Sequence, residues 1–116
     1  MKLFEEISRL VKAGSPVLMF PEGTRYPGDR LGPFREGAFR MAKENKVPVL
    51  PIVMEGTGRA LPKKGFILPG RTKISVHILE EIDTGLFDDP RKLMDHTWQV
   101  MAVEYERMQK QAGMVQ

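Results

Sequence analysis

The sequence predicts an α/β domain with a partly parallel central sheet flanked by helices, on three observations. Two short apolar runs, residues 17–20 and 48–53, have the length of buried strands and are apolar on both faces, the pattern of a parallel sheet covered on each side. Stretches of helical periodicity precede, separate and follow them. The resulting order of helix, strand, helix, strand, strand, helix mixes the two element types along one chain, which favours α/β architecture.

Taken in order, Leu3, Ile7, Leu10 and Val11 recur at helical spacing, and Gly14 is placed to end that helix in a left-handed turn. Pro16 opens the apolar run Val17 to Phe20. "YPGDRLGP" is rich in turn residues and reads as a loop. Between Glu36 and Asn45, Ala38, Met41 and Ala42 restore the helical period. "VPVLPIVM" reads as a second apolar strand, barred by its two prolines from an ordinary central position. "EGTGRALPKKGFILPG" is a loop. "RTKISVHILEEI" alternates, with Ile74, Val76 and Ile78 on one face and Ser75, His77 and Leu79 on the other. That assignment makes His77 a surface or edge histidine. A last helix, about 90–112, starts at Pro90 under an Asp88 or Asp89 cap. Its apolar stripe is Met94, Trp98, Met101, Tyr105 and Met108, which leaves His96 facing solvent.

At 116 residues the chain is a single small domain. Cysteine is absent, which removes disulfides and thiolate chemistry from consideration. No apolar run reaches the ~18–20 residues needed to span a bilayer, and the acids within "MKLFEEISRL" are unlike a signal peptide. A soluble, intracellular chain is the expectation. Net charge is +3, unevenly spread: residues 25–73 carry eleven basic against four acidic side chains, residues 74–116 four against eight. A basic middle of this kind suits an anionic partner.

The stretch "VLMFPEGTR" aims a buried strand at a turn holding both a carboxylate and a guanidinium. Ligands of α/β sheets bind beyond the carboxyl ends of strands, so the position is apt for a site. Pro21 stops the ladder and Gly23 permits close approach to the backbone. Arg25 offers a planar fork suited to phosphate, and Thr24 adds a hydroxyl. Glu22 can accept from a substrate hydroxyl or orient Arg25. Taken alone, five such residues are better read as a tight turn with a local Glu–Arg pair.

The full string "FPEGTR" resembles the third sequence block of the glycerolphosphate acyltransferase family, the family of the 1-acylglycerol-3-phosphate O-acyltransferases. "VPVLPI" at 47–52 is similar to its fourth block, and "FREGAFRMA" to the helix between the two. "GTGRALPKKGFILPGRTKISVHILEEI" is similar to the stretch that follows in bacterial members. The likeness runs from about residue 3 to residue 83 and implies the C-terminal part of that fold, as a single partial domain over 1–116. It implies acyl transfer from acyl-CoA or acyl carrier protein to a glycerol-phosphate lipid hydroxyl. Glu22, Gly23, Thr24 and Arg25 would bind the acceptor, and Val47, Pro48 and Pro51 would line a pocket or serve structure alone. No further cofactor is implied.

The resemblance also implies a general-base histidine in an Asn-His-x4-Asp block, with a phosphate-binding arginine in a second block, both N-terminal to the third. Neither occurs in this sequence: the fifth residue after His77 is Ile82 and after His96 is Met101. No catalytic residue is therefore assigned to this chain, no metal site is suggested by ligand spacing, and the isolated chain is expected to be inactive. The alternative is a non-catalytic module of the same fold that holds phosphate or anionic lipid. Arg30, Arg35, Arg59, Lys63, Lys64 and Arg71 would serve either reading as anion contacts, for acceptor, CoA phosphates or an anionic membrane surface. Nucleic acid is not expected, since the basic loops carry few aromatics and no recognised motif. The expected location is cytoplasmic, peripheral on the cytoplasmic membrane face. Lacking the strands of the first two blocks, the sheet would keep an exposed edge, open to self-association.

Overall fold

A computed structural model describes residues 2–22, 31–56 and 74–114. Helix α1 spans Lys2–Lys12, α2 spans Gly37–Glu44, and α3 spans Pro90–Met114. Strands β1 (Ile52–Glu55) and β2 (Ser75–Ile78) form a two-stranded sheet, and a 3-10 turn covers Thr84–Leu86.

The helix ends follow from the sequence. Gly14, at φ +92°, closes α1. The Ser15 and Gly14 amides donate to the Leu10 and Val11 carbonyls, satisfying the last turn in the Schellman pattern. At the end of α2 the same pattern returns with Lys46 in the left-handed position at φ 54°, its amide donating to Lys43 and that of Val47 to Ala42. Asn45 joins the two helices, donating through Nδ2 to Ser8 Oγ (3.2 Å) and to the Met41 carbonyl (2.9 Å). At the start of α3, Asp89 Oδ1 accepts from the Lys92 amide at 2.8 Å, so Asp89 is the cap and Pro90 the first helical residue.

The ladder pairs Ile52 with Ile78, Val53 with His77, Met54 with Val76 and Glu55 with Ser75, all antiparallel. Antiparallel bonding continues past the strand at Val49 with Ile82. Here the structure differs from the sequence prediction. The α/β class stands, but the pairing among the described residues is antiparallel, and residues 17–20 run without a ladder partner there. Prolines 48 and 51 hold regular pairing to the four residues of β1.

The two faces of the sheet are treated unequally. Val53, Glu55, Ser75 and His77 share the face against which α3 packs, and Val53 and Glu55 are buried. Met54, Ile74, Val76 and Ile78 point the other way and are exposed. This inverts the expected alternation: the polar side of β2 faces the helix, because α3 presents Glu104 there, and Glu104 Oε2 meets His77 Nδ1 at 2.5 Å. His77 is thus half-buried and paired with Glu104, not a free surface histidine.

The core lies between α2, α3 and the 82–87 segment. Phe39, Ile82 and Leu93 are buried together, with Phe34, Ala38, Val49, Phe87, Met94 and Val100 packed around them. On α3 Met108 of the predicted stripe is buried, but the other buried positions, Leu93 and Thr97, lie one residue before Met94 and Trp98, which with Met101 and Tyr105 are only half-buried. Thr97 tolerates burial because its hydroxyl donates to the Leu93 carbonyl at 2.8 Å. His96 is exposed, as expected, with its ring tilted against Phe87.

Candidate functional site

The stretch that carries "FPEGTR" runs without regular secondary structure over residues 16–20, and of its motif Phe20, Pro21 and Glu22 are described. Of the four acceptor-binding residues read from the sequence, Glu22 is described; Gly23, Thr24 and Arg25 lie outside the described residues. So do Arg30, Arg59, Lys63, Lys64 and Arg71.

Two bonds fix where the segment between residues 22 and 31 leaves and re-enters the fold. The Pro21 carbonyl accepts from the Arg35 amide at 2.6 Å. Glu22 Oε2 accepts from the Gly32 amide at 3.0 Å. A third bond anchors the same residue from the far side, since Trp98 Nε1 donates to the Gly32 carbonyl at 2.9 Å. Gly32 is buried, so both of its backbone groups need protein partners, and Glu22 and Trp98 supply them. Glu22 is therefore tied, through Gly32, to the long C-terminal helix, and Pro21 to Arg35 just ahead of α2.

The sequence offers Glu22 two roles, acceptor of a substrate hydrogen bond or partner of Arg25. The structure adds a third: its carboxylate holds the exit of its own loop. Trp98 was legible only as an apolar stripe position. The available signal was its indole N–H, which must find an acceptor when the ring packs inward. Which carbonyl it finds, 66 positions away in sequence, no local pattern announces.

The pocket residues of the fourth block separate in their placement. Pro51 is buried and its carbonyl accepts from the Leu79 amide at 2.9 Å; Val47 is half-buried and its carbonyl accepts from Thr84 Oγ1 at 3.1 Å. Pro48 is exposed. These backbone bonds tie the block to the segment after β2. Arg35 is exposed two residues ahead of α2, next to Glu36, which pairs with Arg40 at 3.0 Å. Among the described residues no three His, Asp or Glu side chains gather as metal ligands, and no helix is long and apolar enough to cross a membrane.

Comparison with known proteins places this geometry. Residues 1–55 match the Acyltransferase family model. The chain is 46% identical over 70 residues to the chloroplast 1-acyl-sn-glycerol-3-phosphate acyltransferase BAT2 of Brassica napus, covering 59% of this chain and 20% of that protein. It is 29% identical over 112 residues to the putative 1-acyl-sn-glycerol-3-phosphate acyltransferase acl-1 of Caenorhabditis elegans, covering 92% of this chain and 40% of that one. The crystal structure of the 1-acyl-sn-glycerophosphate acyltransferase PlsC from Thermotoga maritima superposes with a TM-score of 0.81 at 27% identity, over 94% of this chain and 45% of that one. The chain thus spans less than half the length of each of these three proteins. Two ordered motifs, a family model matched over residues 1–55 and a shared fold agree: over the part of the fold it spans, this chain is similar to the acyltransferase family.

Proposed function

We propose that this chain is the acceptor-binding part of a glycerolipid O-acyltransferase that esterifies a 1-acylglycerol-3-phosphate hydroxyl with an acyl group from acyl-CoA or acyl carrier protein. The observation that carries the reading is the fold shared with the Thermotoga maritima enzyme, together with the bonds that hold Pro21 and Glu22 of "FPEGTR" to Arg35 and Gly32. In the reaction, the acceptor oxygen attacks the thioester carbonyl, the carbon–sulfur bond breaks, and the hydroxyl proton passes through a general base to the departing thiolate. That base is assigned outside this chain, whose histidines lack the required spacing to an aspartate.

Within this scheme Arg25 takes the acceptor phosphate through its two-donor fork. Thr24 and the Gly23 backbone line the same site, and Glu22 keeps the loop in register by holding Gly32. Val47, Pro48 and Pro51 shape the neighbouring wall. The basic residues Arg30, Arg35, Arg59, Lys63, Lys64 and Arg71 draw in the phosphorylated acceptor, the donor's phosphates and an anionic lipid surface, which favours a peripheral position on the cytoplasmic membrane face.

The test is a chimera in which residues 1–116 replace the matching part of the Thermotoga maritima enzyme. Thiol release from acyl-CoA in the presence of lysophosphatidate, reduced on Arg25→Lys and reduced less with an acceptor lacking phosphate, supports the reading. A folded chimera that binds phosphorylated lipid without releasing thiol favours the binding-only alternative. Equal losses for both acceptors would remove Arg25 from the phosphate.

A further inference from the structure

The sheet face turned away from α3 carries Met54 (41% exposed), Ile74 (47%), Val76 (52%) and Ile78 (66%). Met54 and Val76 are cross-strand partners, and so are Ile52 and Ile78, so these side chains form one contiguous apolar surface. Leu50, also exposed, continues the same phase before β1. Surfaces of this kind, built from cross-strand pairs of large apolar residues, mark interaction sites in soluble proteins.

We propose that this bare face is the docking surface for the remainder of the acyltransferase domain: a polypeptide layer of the kind that makes up the part of the Thermotoga maritima enzyme this chain does not match. The inference rests on the family reading and not on the activity proposed above. Its argument is one of layers. The chain reproduces the fold of that enzyme over 94% of its own length yet accounts for only 45% of the other chain. One face of β1–β2 already has its helix. A layer on the opposite face completes the helix–sheet–layer arrangement that apolar residues on both faces of β1 call for. A second copy of this chain pairing along a strand edge would lengthen the sheet sideways and leave the same face bare, so edge pairing does not answer the observation.

The chain has no cysteine, which makes single-cysteine probes unambiguous. Val76→Cys and Ile78→Cys are placed on the face, and Leu86→Cys, 77% exposed on the 3-10 turn, serves as the control. Maleimide labelling rates are compared between the 116-residue chain and the chimera with the Thermotoga maritima remainder, whose own cysteines are changed to serine. The expected result is fast labelling at all three positions in the chain alone and slowing at 76 and 78, on the order of tenfold or more, in the chimera, with 86 unchanged. Should the chimera be insoluble, the separately refolded remainder is added to the intact chain and the same rates are read. Equal rates with and without the remainder overturn the proposal. So does protection already present in the chain alone and lost on dilution, which would assign the face to a second copy, or protection conferred only by phosphatidylglycerol vesicles, which would assign it to lipid. Thiol release on the same samples separates the two readings. Protection without turnover sinks only the activity, and turnover without protection sinks only the docking surface.

Discussion

Gly32 is held from both sides, by the Glu22 carboxylate on its amide and by the Trp98 indole on its carbonyl, and this predicts a coupled energetic effect. Glu22→Ala removes a charge-assisted bond of ~1.5–3 kcal/mol and strands a buried N–H. Trp98→Phe keeps an aromatic ring but deletes the donor to a buried carbonyl, a neutral bond of ~0.5–1.5 kcal/mol, with some packing lost besides. If the bonds acted on separate groups, the double variant would cost their sum. Because both position one residue, loosening either lets Gly32 shift and weakens the other, so the double variant should cost ~0.5–3 kcal/mol less than the sum. Glu22→Gln retains a carboxamide oxygen of similar reach and should lose less than Glu22→Ala. Urea unfolding followed by far-UV circular dichroism reads all four proteins, since the fluorescence of the single tryptophan is lost in two of them. Additivity within ~0.5 kcal/mol would refute the clamp as a unit. A Trp98→Phe midpoint equal to that of the parent would refute the indole bond itself.

Three further outcomes follow from single features of the fold. Lys46 closes α2 at a positive φ that costs a side-chain-bearing residue ~1–2 kcal/mol, so Lys46→Gly should raise the urea midpoint with no change in slope; a lower midpoint would mean its side chain stabilises more than its backbone costs. Leu93, with 0% exposure at the centre of the core, should cost ~2–5 kcal/mol on change to alanine, read by the same unfolding curve, and a loss under 1 kcal/mol would mean the site collapses around the gap. His77 and Glu104 join β2 to α3, and a double-mutant cycle of His77→Ala with Glu104→Gln should give a coupling of ~0.5–1.5 kcal/mol; zero coupling would reduce the contact to coincidence.

The helices were legible because their signals are local. Gly14 and the Asp89-Pro90 pair are stop and start marks whose chemistry acts within four residues, and both act as read. The sheet was less legible. Alternation in residues 74–79 correctly sorts the side chains into two faces, but which face is covered depends on what lies opposite, and α3 brings Glu104 against the polar one. The exposed Leu18 and Phe20 show the same limit: a run apolar on both faces announces that it should be buried, and says nothing of which layer does the burying.

The site divides along a similar line. "FPEGTR" is recognisable because it resembles a family block whose residues stand in close succession, and close succession is what a sequence displays. What holds such a loop in place is distributed. Gly32 lies ten residues beyond Glu22, and Trp98 lies beyond both strands on the last helix. The family model matches only residues 1–55, yet the loop within that span is anchored by a side chain outside it. The long C-terminal helix is thus part of the motif's structural support. A chain shortened before Trp98 would keep every residue of both recognisable blocks and lose the donor that fixes the loop's exit. If "FPEGTR" binds the acceptor as proposed, acceptor affinity measured by lysophosphatidate titration should fall on Trp98→Phe through the position of Gly32, even though Trp98 belongs to neither block.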